Sequence, residues 1–567
     1  MKTALVSVAL FFASHVCNSQ QFLETTFGSW DNQNLSVETF QDFVISGYTE
    51  TNPGTGLLTP TFKITDIFGN PLNTFYTEYY DDMYLMDFTI RESTHTIILT
   101  GMTAVTTGGT PYKMFVAEVD FMSGAPVQSW IEYTYNGNSM VPHQVIASEI
   151  SGQVMVVGTE ITGTVTPGNF GFIQKSGFIL ALDINNFSNI LYTPLEMDVP
   201  AVSNWDYDML ENITEVDGFG YFISGSCNGP AGEQNLLVMT ITYGGGIAAS
   251  NIIDNTNSRF AGASVMYNQQ LNVVYVLVNN SIMHQYQVAQ FNPFTATPSG
   301  PWVNHQFTAF PIGSGVDQNG FRLQQTPDNL IIVGGYLSAP FGALPEQLTP
   351  FQTVMKDDLT FIAAKLYVSG NNSPLSPSYF EENGNSVFIN TPDMIVYNEV
   401  SKRTYLVNQN INNGGFDLDV SSLFQPSQCE KALKVATSMI TPVIVGSGNY
   451  NLLPMYPKNY MPNPTPRPIM HQVLCPDVSP AIVAHTPDAT LAPNPATIQL
   501  SITLDEGETI QHASVYDLKG NVVLSQQATD RPNHILTLNV EKLSPGTYVV
   551  EITTKEGTIR HEKFVKQ

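Results

Sequence analysis

The stretch Ile97–Gly124 reads IILTGMTAVTTGGTPYKMFVAEVDFMSG. It contains a short apolar strand with a glycine near its end, a polar loop, a second apolar strand and a turn. The same order recurs in FVISGY (43–48) followed by TFKITDIFGN (61–70), and in VMVVGT (154–159) followed by GFILALDINN (177–186). Further copies begin at Tyr221, Val273, Leu330 and, less regularly, Arg403. Seven copies of one strand pattern predict a seven-bladed, β-propeller-like domain with about four strands per blade.

Each copy after the first is preceded by another candidate strand, such as MYLMDFTI (83–90) or HQVIASEI (143–150). This strand would be the innermost strand of its blade. Helical periodicity is almost absent, because Gly and Pro interrupt most windows. The alternative is a string of β-sandwich domains, which would need clearer linkers between Gly47 and Val445 than the sequence offers.

The composition describes a folded, acidic chain. Of its 567 residues, 43% are hydrophobic and 13% charged, and the formal net charge is −27. Such a charge repels polyphosphates, so we expect no nucleic-acid partner. The sequence contains no GxSxG elbow, HExxH motif, phosphate-binding loop or dinucleotide fingerprint, so we expect no cofactor and no metal.

The first residues resemble an export signal. Lys2 precedes an apolar run from Ala4 to Ala13, and Ser19 can stand before a cleavage site. We assign residues 1–19 to a signal peptide. A lipoprotein signal ending at Cys17 is the alternative, although Val16 stands where such signals prefer a small residue. No later apolar stretch is long enough to cross a bilayer, so we expect no transmembrane segment in the mature chain.

Proline marks a boundary late in the chain. Residues 449–480 are rich in proline, which favours an extended linker. We therefore expect a propeller-like cargo domain at 20–448, a linker at 449–480 and a separate domain at 481–567. Stretches of alternating apolar and polar residues in the last domain, such as ATIQLSITL (496–504), predict a small antiparallel β-sandwich, which completes an all-β fold.

The last domain also carries motifs at fixed order and spacing. They are Pro493-Asn494-Pro495, then Tyr516-Asp517 with Gly520, then Gly546 with Tyr548, then Lys563-Phe564 close to the end. In this order they resemble the C-terminal sorting domain (type A) of Bacteroidetes proteins exported by the type IX secretion system. Ala492 departs from the aromatic residue that is frequent there. The alternative is an accessory β-sandwich without a role in transport.

The resemblance implies that the type IX secretion machinery is a partner and that the protein is secreted or held at the outer cell surface. It also implies a sorting domain that is commonly removed during export, after which the cargo is released or attached to the surface. The resemblance does not extend to the cargo domain, so it leaves the cargo's activity open.

Three cysteines remain after the signal peptide: Cys227, Cys429 and Cys475. Their spacing offers no CxxC pair and therefore no zinc site. We predict a disulfide between Cys429 and Cys475, which flank the last strand pattern and the proline-rich segment, with Cys227 left as a thiol. Three cysteines allow three pairings, and the other two stay open.

In a propeller, the loops that enter the innermost strands meet at one face. The charged candidates there come from six successive units: Asp82, His143, Asp206, Arg259, Asp317 and Asp393. They predict a negative binding face for an unknown extracellular ligand, glycan or protein. Alternatively, they are solvated turn residues, because Asp stabilises turns through its backbone hydrogen bonds.

Two function classes remain. We favour a non-catalytic, ligand-binding cargo, and the alternative is a secreted hydrolase that acts on polysaccharide or peptide. Residues 412–419 (NNGGFDLD) offer enough oxygen ligands to suggest calcium, but they lack the closing Glu of a known loop, and a turn is the favoured interpretation.

Overall fold

Every regular element in the described part of this computed structural model is a β-strand. The described residues are 23–25, 36–52, 54–67, 69–78, 81–104, 112–134, 138–162, 174–195, 209–228, 234–254, 260–280, 285–300, 302–307, 317–338, 348–367, 379–382, 385–388, 395–410, 415–424, 430–433, 435–440, 443–446, 456–460, 463–466, 470–472, 490–504, 509–516, 522–527, 534–555 and 559–567. Among them, no helix is long and apolar enough to span a membrane. The all-β prediction is confirmed for these residues.

Strand β1 (Leu23–Thr25) precedes seven antiparallel sheets, numbered 1 to 7 in chain order. Sheet 1 has β2 (Ser36–Phe40), β3 (Phe43–Thr51), β4 (Leu58–Asp66) and β5 (Pro71–Glu78). Sheet 2 has β6 (Asp82–Arg91), β7 (Thr96–Ala104), β8 (Lys113–Asp120) and β9 (Pro126–Thr134). Sheet 3 has β10 (Ser139–Ser148), β11 (Gln153–Thr162), β12 (Gln174–Asp183) and β13 (Asn189–Leu195).

Sheet 4 has β14 (Met209–Val216), β15 (Gly220–Asn228), β16 (Gln234–Thr242) and β17 (Ile247–Asp254). Sheet 5 has β18 (Phe260–Asn268), β19 (Val273–Asn280), β20 (Gln285–Phe291) and β21 (Trp302–Phe307). Sheet 6 has β22 (Asp317–Gln325), β23 (Ile331–Ser338), β24 (Leu348–Met355) and β25 (Phe361–Tyr367). A hairpin of β26 (Tyr379–Glu382) and β27 (Asn385–Phe388) precedes sheet 7, which has β28 (Ile395–Asn398), β29 (Arg403–Asn410) and β30 (Gly415–Ser422).

The chain then returns along the sheets already formed. We call residues 430–472 the belt, and its strands are β31 (Glu430–Leu433), β32 (Val435–Ile440), β33 (Val443–Gly446), β34 (Tyr456–Tyr460), β35 (Asn463–Pro466) and β36 (Met470–Gln472). The first five add a fifth, outer strand to sheets 6, 5, 4, 2 and 1, in that order, and β36 pairs with β1. Residues 449–480, expected to be a linker, thus contain three strands that pair with earlier parts of the chain.

The hairpin between the first and second strands of each sheet turns through one residue with positive φ, between 51° and 71°. These seven residues are Gln41, His95, Gly152, Gly218, Asn272, Asn329 and Lys402. Only two of them are glycine, and the left-handed conformation costs other residues about 1–2 kcal/mol each. The same turn therefore recurs at the same place in all seven sheets.

The recurring glycine of the second strand has a steric cause. In sheet 3, a Cβ on Gly158 would lie 2.3 Å from the carbonyl oxygen of Val141 and 2.6 Å from the ring of Phe178. Phe178 lies directly opposite Gly158 on the neighbouring strand. Gly101 has the same relation to Phe115 in sheet 2. The glycine lets a phenylalanine of the third strand lie flat across the second strand.

Both faces of the sheets are buried, because each sheet packs against the sheet before it and the sheet after it. Along β8, Met114 and Val116 belong to a core with sheet 3, whereas Phe115 and Ala117 belong to a core with sheet 1. This explains why these strands are apolar at consecutive positions. A string of independent sandwiches would instead keep its cores within pairs of sheets.

The first strands of the sheets contact one another in cyclic order. β2 contacts β6, β6 contacts β10, and the series continues through β14, β18, β22 and β28. β28 in turn contacts β2, the first strand of sheet 1. One core cluster accordingly combines Val37 and Tyr48 of sheet 1, Ile332 of sheet 6 and Tyr405 of sheet 7.

The chain divides into two compact units, Met1–Asp477 and Val478–Gln567. The second unit has β37 (Thr490–Ala492), β38 (Gln499–Thr503), β39 (Ile510–Tyr516), β40 (Val522–Gln527), β41 (Ile535–Asn539), β42 (Gly546–Thr554) and β43 (Ile559–Lys566). They form a sheet β37-β38-β41 and a sheet β40-β39-β42-β43, which share one apolar core.

Candidate functional site

Asp82 is the first residue of β6, and its side chain is half-buried. Its Oδ1 accepts a hydrogen bond of 2.9 Å from the backbone N–H of Leu58, the first residue of β4. One carboxylate oxygen therefore joins sheet 2 to sheet 1. The Asp82 side chain has a structural contact in addition to any role in binding.

His143 lies within β10, where the pairing with β11 shifts register between Pro142 and Gln144. The side chain is buried, and its Nε2 lies 2.9 Å from the hydroxyl of Thr159 on β11. The structure thus places His143 in the interior of sheet 3, and not in an exposed loop at its edge.

Asp317 is the first residue of β22, the position that Asp82 has in β6. Asp206, Arg259 and Asp393 lie outside the described residues, as do Cys429 and Cys475 of the predicted disulfide. Cys227 is fully buried in β15. That the six predicted residues gather on one face stays a prediction.

Sequence reasoning missed a repeated set of polar side chains on the first strands. We call them the inner-edge residues, and each directly follows a register shift in its first strand: Asp87, Gln144, Asn212, Ser264 and Arg322. The sequence contains the signal, since Asp87 and Gln144 are each the sixth residue of their strand and each precedes an apolar residue.

Three inner-edge residues accept a hydrogen bond from the backbone of the next sheet. Asp87 Oδ2 accepts from the N–H of Val145 (2.8 Å), and Gln144 Oε1 accepts from that of Ile213 (2.6 Å). Ser264 Oγ accepts from the N–H of Leu323 at 3.0 Å. First strands are sheet edges with unpaired backbone donors, and these side chains satisfy one donor of each neighbouring edge.

Arg322 makes a different connection, because it is a donor and its partners lie in sheet 1. Its Nη1 donates to the carbonyl of Val37 (2.9 Å), and its Nη2 donates to Glu38 Oε1 (2.5 Å). The Arg322 side chain is 12% exposed and the Glu38 side chain 22% exposed, so the ion pair is partly desolvated. This pair holds the first strands of sheets 6 and 1 together.

Two buried glutamates of sheet 2 could have served as catalytic acids, but both have structural partners. Glu118 accepts hydrogen bonds from Thr96 (2.6 Å), Arg91 (3.4 Å) and Gln128. Glu132 pairs with Lys113 Nζ at 3.2 Å and accepts from Thr103 at 3.2 Å. Each carboxylate forms an ion pair with an Arg or Lys side chain and accepts a hydrogen bond from a Thr hydroxyl, an arrangement that stabilises the fold.

His305 on β21 is a different kind of buried group. Its ring stacks on Tyr286 with centroids 5.3 Å apart, and neither ring nitrogen has a hydrogen-bond partner among the described residues. Burial lowers the pKa of His305 from 6.5 to about 4, so the ring is neutral at pH 7. A neutral, enclosed imidazole fits packing between sheets 5 and 6.

Residues 412–419 are the segment with a calcium-like pattern of oxygen ligands. Asp417 and Asp419 lie in β30, paired with Asn408 and Leu406 of β29. The expectation of a turn at these two residues is therefore wrong, because the pairing with β29 extends through them. In the described part of the chain, no group of three or more His, Cys, Asp or Glu side chains could hold a metal ion.

In the second unit, two sorting motifs far apart in sequence meet. Asn494 Oδ1 accepts a hydrogen bond from the backbone N–H of Val565 (2.9 Å), and Ala496 N–H donates to the Val565 carbonyl (2.8 Å). Tyr548 stacks on Phe564, with ring centroids 5.5 Å apart, and its hydroxyl donates to the Ser544 carbonyl (2.8 Å).

The remaining motif residues are only partly described. Gly546 pairs with Lys566 along β42 and β43, and the backbone of Lys563 pairs with Val549. Tyr516 ends β39, and Pro493 and Pro495 flank Asn494 in the described segment 490–504. Asp517 and Gly520 lie outside the described residues.

Solved structures resemble the chain only weakly. An oligogalacturonate lyase in complex with manganese is 11% identical, covers 70% of this chain and 98% of its own, and has a TM-score of 0.35. The acylaminoacyl peptidase of Pyrococcus horikoshii (12% identity, 57% and 61% coverage, TM-score 0.25) and the AtxE2 isopeptidase (11%, 70% and 56%, 0.23) are similar at lower scores. Similarity at these scores carries no argument about activity. No curated protein matches the chain.

The tail is recognised more firmly. Residues 490–567 match the family described as the secretion system C-terminal sorting domain. This range contains every predicted sorting motif, including the Asn494–Val565 and Tyr548–Phe564 contacts. Residues 490–567 are therefore a type IX C-terminal sorting domain, and the chain is exported to the extracellular space or the cell surface.

Proposed function

We propose that the exported cargo is a seven-bladed β-propeller that binds an extracellular ligand and catalyses no reaction. The observation that carries the architecture is the cyclic contact of the first strands, from β2 through β28 and back to β2. The recurrence of one left-handed turn residue in seven hairpins supports it. The propeller then extends from residue 20 through the belt to residue 472.

Solution scattering tests this architecture. A compact domain of about 450 residues has a radius of gyration of about 22 Å. A string of separate sandwich domains would be longer and would give a larger radius. The propeller would be rejected if the exported protein had a radius of gyration well above this compact value and a pair-distance distribution with several maxima.

The ligand face is proposed at the end where the first strands begin. Because the strands are antiparallel, the connections between second and third strands open at this same end. Residues 163–173 join the second and third strands of sheet 3, and residues 196–208 join its fourth strand to the first strand of sheet 4, a second type of connection that starts from this end. The hairpin between β2 and β3 at the other end has two residues. Long connections at one end of a rigid scaffold are typical of binding sites.

The charges of that face point to a ligand class. Asp82, Asp206, Asp317 and Asp393 outnumber Arg259, so the face attracts cations, amines and neutral, hydroxyl-rich ligands and repels phosphates and acidic sugars. His143 and its partner Thr159 are both buried, so His143 supports this face from within the sheet and does not contact the ligand directly. We infer that a neutral or amino-substituted glycan, or a basic protein segment, is the ligand.

A glycan array with neutral, amino and acidic sugars tests this class. Asp206→Asn should weaken binding of the best ligand. Asp82→Asn should also weaken binding and should leave stability nearly unchanged, because the amide oxygen of the new side chain can still accept the bond from the Leu58 N–H. The exposed Asp328 turn residue at the opposite end provides a matched control, Asp328→Asn. Preferred binding of acidic sugars would contradict the proposal.

A secreted hydrolase remains the second candidate. The structural partners of Glu118 and Glu132 count against their use as an acid/base pair. A panel of polysaccharide and peptide substrates separates the two candidates. Turnover that co-purifies with the protein and disappears in Asp206→Asn or Asp393→Asn would favour the hydrolase.

A further inference from the structure

The belt follows the ring of sheets closely. A single residue, 434, separates β31 from β32, two residues separate β32 from β33, and two separate β34 from β35. One residue spans at most about 3.6 Å. The outer edges of sheets 6, 5 and 4 thus meet almost end to end, and so do those of sheets 2 and 1.

The twist of a sheet explains this path. Neighbouring strands rotate by roughly 20–25°, so four steps turn the fifth strand by about 80–100° relative to the first. If first strands run along the axis of the ring, fifth strands run around its circumference. One extended segment can then add a strand to sheet after sheet without turning back.

Both ends of the belt are anchored. Its start follows sheet 7 in the chain, and its end, β36, pairs with β1 through Leu23, Glu24 and Thr25. β1 in turn contacts β30, the third strand of sheet 7. The segment that follows the signal peptide and the segment that precedes the sorting domain therefore close the belt together.

Two prolines in β35 prevent a further strand from pairing with the outer side of the belt. Pro464 and Pro466 pair with Thr77 and Phe75 of β5, and between them Thr465 pairs with Tyr76. Alternate residues of a strand direct their N–H groups to the same side, and proline has none to donate. With proline at 464 and 466, the N–H of Thr465 still faces β5, and no N–H at these two positions faces solvent. Another strand therefore finds no donors there to pair with.

We propose that the outer edges of sheets 6, 5, 4, 2 and 1 are docking sites for the belt strands β31 to β35, and that the closed ring requires these strands while it does not require the sorting domain. The relation is that of a donor strand: the affinity comes from main-chain hydrogen bonds. This inference rests on the observed strand pairing and on the closed ring of the proposed function, and it is independent of the proposed ligand.

The test uses the full chain with a protease site inserted between Gln425 and Pro426. After cleavage of the folded protein, the fragment 426–567 should co-elute with the sheets in native buffer, and it should separate only in denaturant. The sheets refolded without the fragment should aggregate, and they should recover solubility when it is added back. A site between Pro480 and Ala481 is the control, and its cleavage should release the sorting domain without change in the sheets.

Point variants sharpen the test in the cleaved protein. Thr465→Pro removes the donor that faces β5 and should raise the dissociation rate of the fragment about tenfold. Pro464→Ala with Pro466→Ala should leave dissociation unchanged but restore donors to the outer side, and the uncleaved variant should self-associate on gel filtration. Free separation of the parent fragment with no loss of stability, or equal dissociation in Thr465→Pro, would overturn the proposal.

Discussion

Substitution of Gly158 by alanine tests the steric account of the repeated glycine. The added Cβ would approach the Val141 carbonyl to 2.3 Å and the Phe178 ring to 2.6 Å, whereas real contacts stay beyond 3.0 Å. Either the Phe178 ring has to move or the hydrogen-bonded pairing of β10 with β11 has to be distorted. Overpacking of this kind costs about 1–3 kcal/mol, and the backbone contact places Gly158→Ala at the upper end.

Gly152 in the preceding hairpin is the matched control. Its φ is +68°, and nothing lies within 4 Å of the position that an added Cβ would take. Gly152→Ala should therefore cost only the left-handed backbone term, about 1 kcal/mol. Within one sheet, the two variants separate a steric requirement for glycine from a conformational one.

Urea unfolding followed by tryptophan fluorescence gives the free energies. Trp130 and Trp302 are fully buried in sheets 2 and 5, and residues 481–567 contain no tryptophan, so the signal reports the sheets and not the sorting domain. Equal midpoints for Gly158→Ala and Gly152→Ala at equal slopes would refute the steric argument.

A double-mutant cycle adds a stricter condition. Leucine in place of Phe178 lacks the two ring atoms nearest the new methyl, while the Val141 carbonyl stays in place. The pair Gly158→Ala with Phe178→Leu should thus be more stable than the sum of the single changes by about 1 kcal/mol. Strict additivity would mean that the phenylalanine does not impose the glycine.

Three further outcomes are expected. The pKa of His305 is about 4 in the folded protein and 6.5 in the unfolded chain, so below pH 6.5 the unfolded chain binds a proton that the folded protein does not. The free energy of unfolding should therefore fall by up to about 3 kcal/mol between pH 6.5 and pH 4. His305→Phe should remove this loss, as measured by urea unfolding at pH 7 and pH 4.5. Lys402→Gly should raise stability by about 1 kcal/mol, since its φ of 56° strains a lysine, whereas Lys356→Gly, with no such φ, should not. Asp87→Ala should cost about 1–3 kcal/mol by leaving the Val145 N–H without its acceptor, and Asp87→Asn should cost less; equal losses would contradict the inner-edge role.

The strand pattern was predictable where local chemistry determines it. The second and third strands of each sheet are buried on both faces, so continuous apolar runs such as MFVAEV identify them. The belt was not predictable in this way, because proline in 456–466 normally indicates an unpaired linker. An edge strand needs backbone donors on one side only, so it tolerates proline. Whether a sheet edge is free to pair with this segment depends on strands more than three hundred residues earlier in the chain.

The candidate site shows the same division. Asp82 and Asp317, which the sequence places just before the first strands, are the first residues of β6 and β22. The buried position of His143 and the bond from Leu58 to Asp82 depend on neighbouring sheets, which no local pattern reports. The inner-edge residues were missed for a related reason. A single Asp, Gln or Ser in a strand can be recognised as an acceptor only when the position of the backbone N–H in the next sheet is known.

A sheet has two edges, and the described sheets close theirs by different means. Inner edges receive acceptors from Asp87, Gln144 and Ser264 of the preceding sheet, and the outer edges of five sheets receive a belt strand. The end opposite the proposed ligand face is closed by short hairpins with left-handed turn residues. Where both edges and one end of a sheet are committed in this way, the connections at the remaining end can change without loss of pairing. We place the proposed ligand site at that end for this reason, and the Asp206→Asn and Asp82→Asn variants test it there.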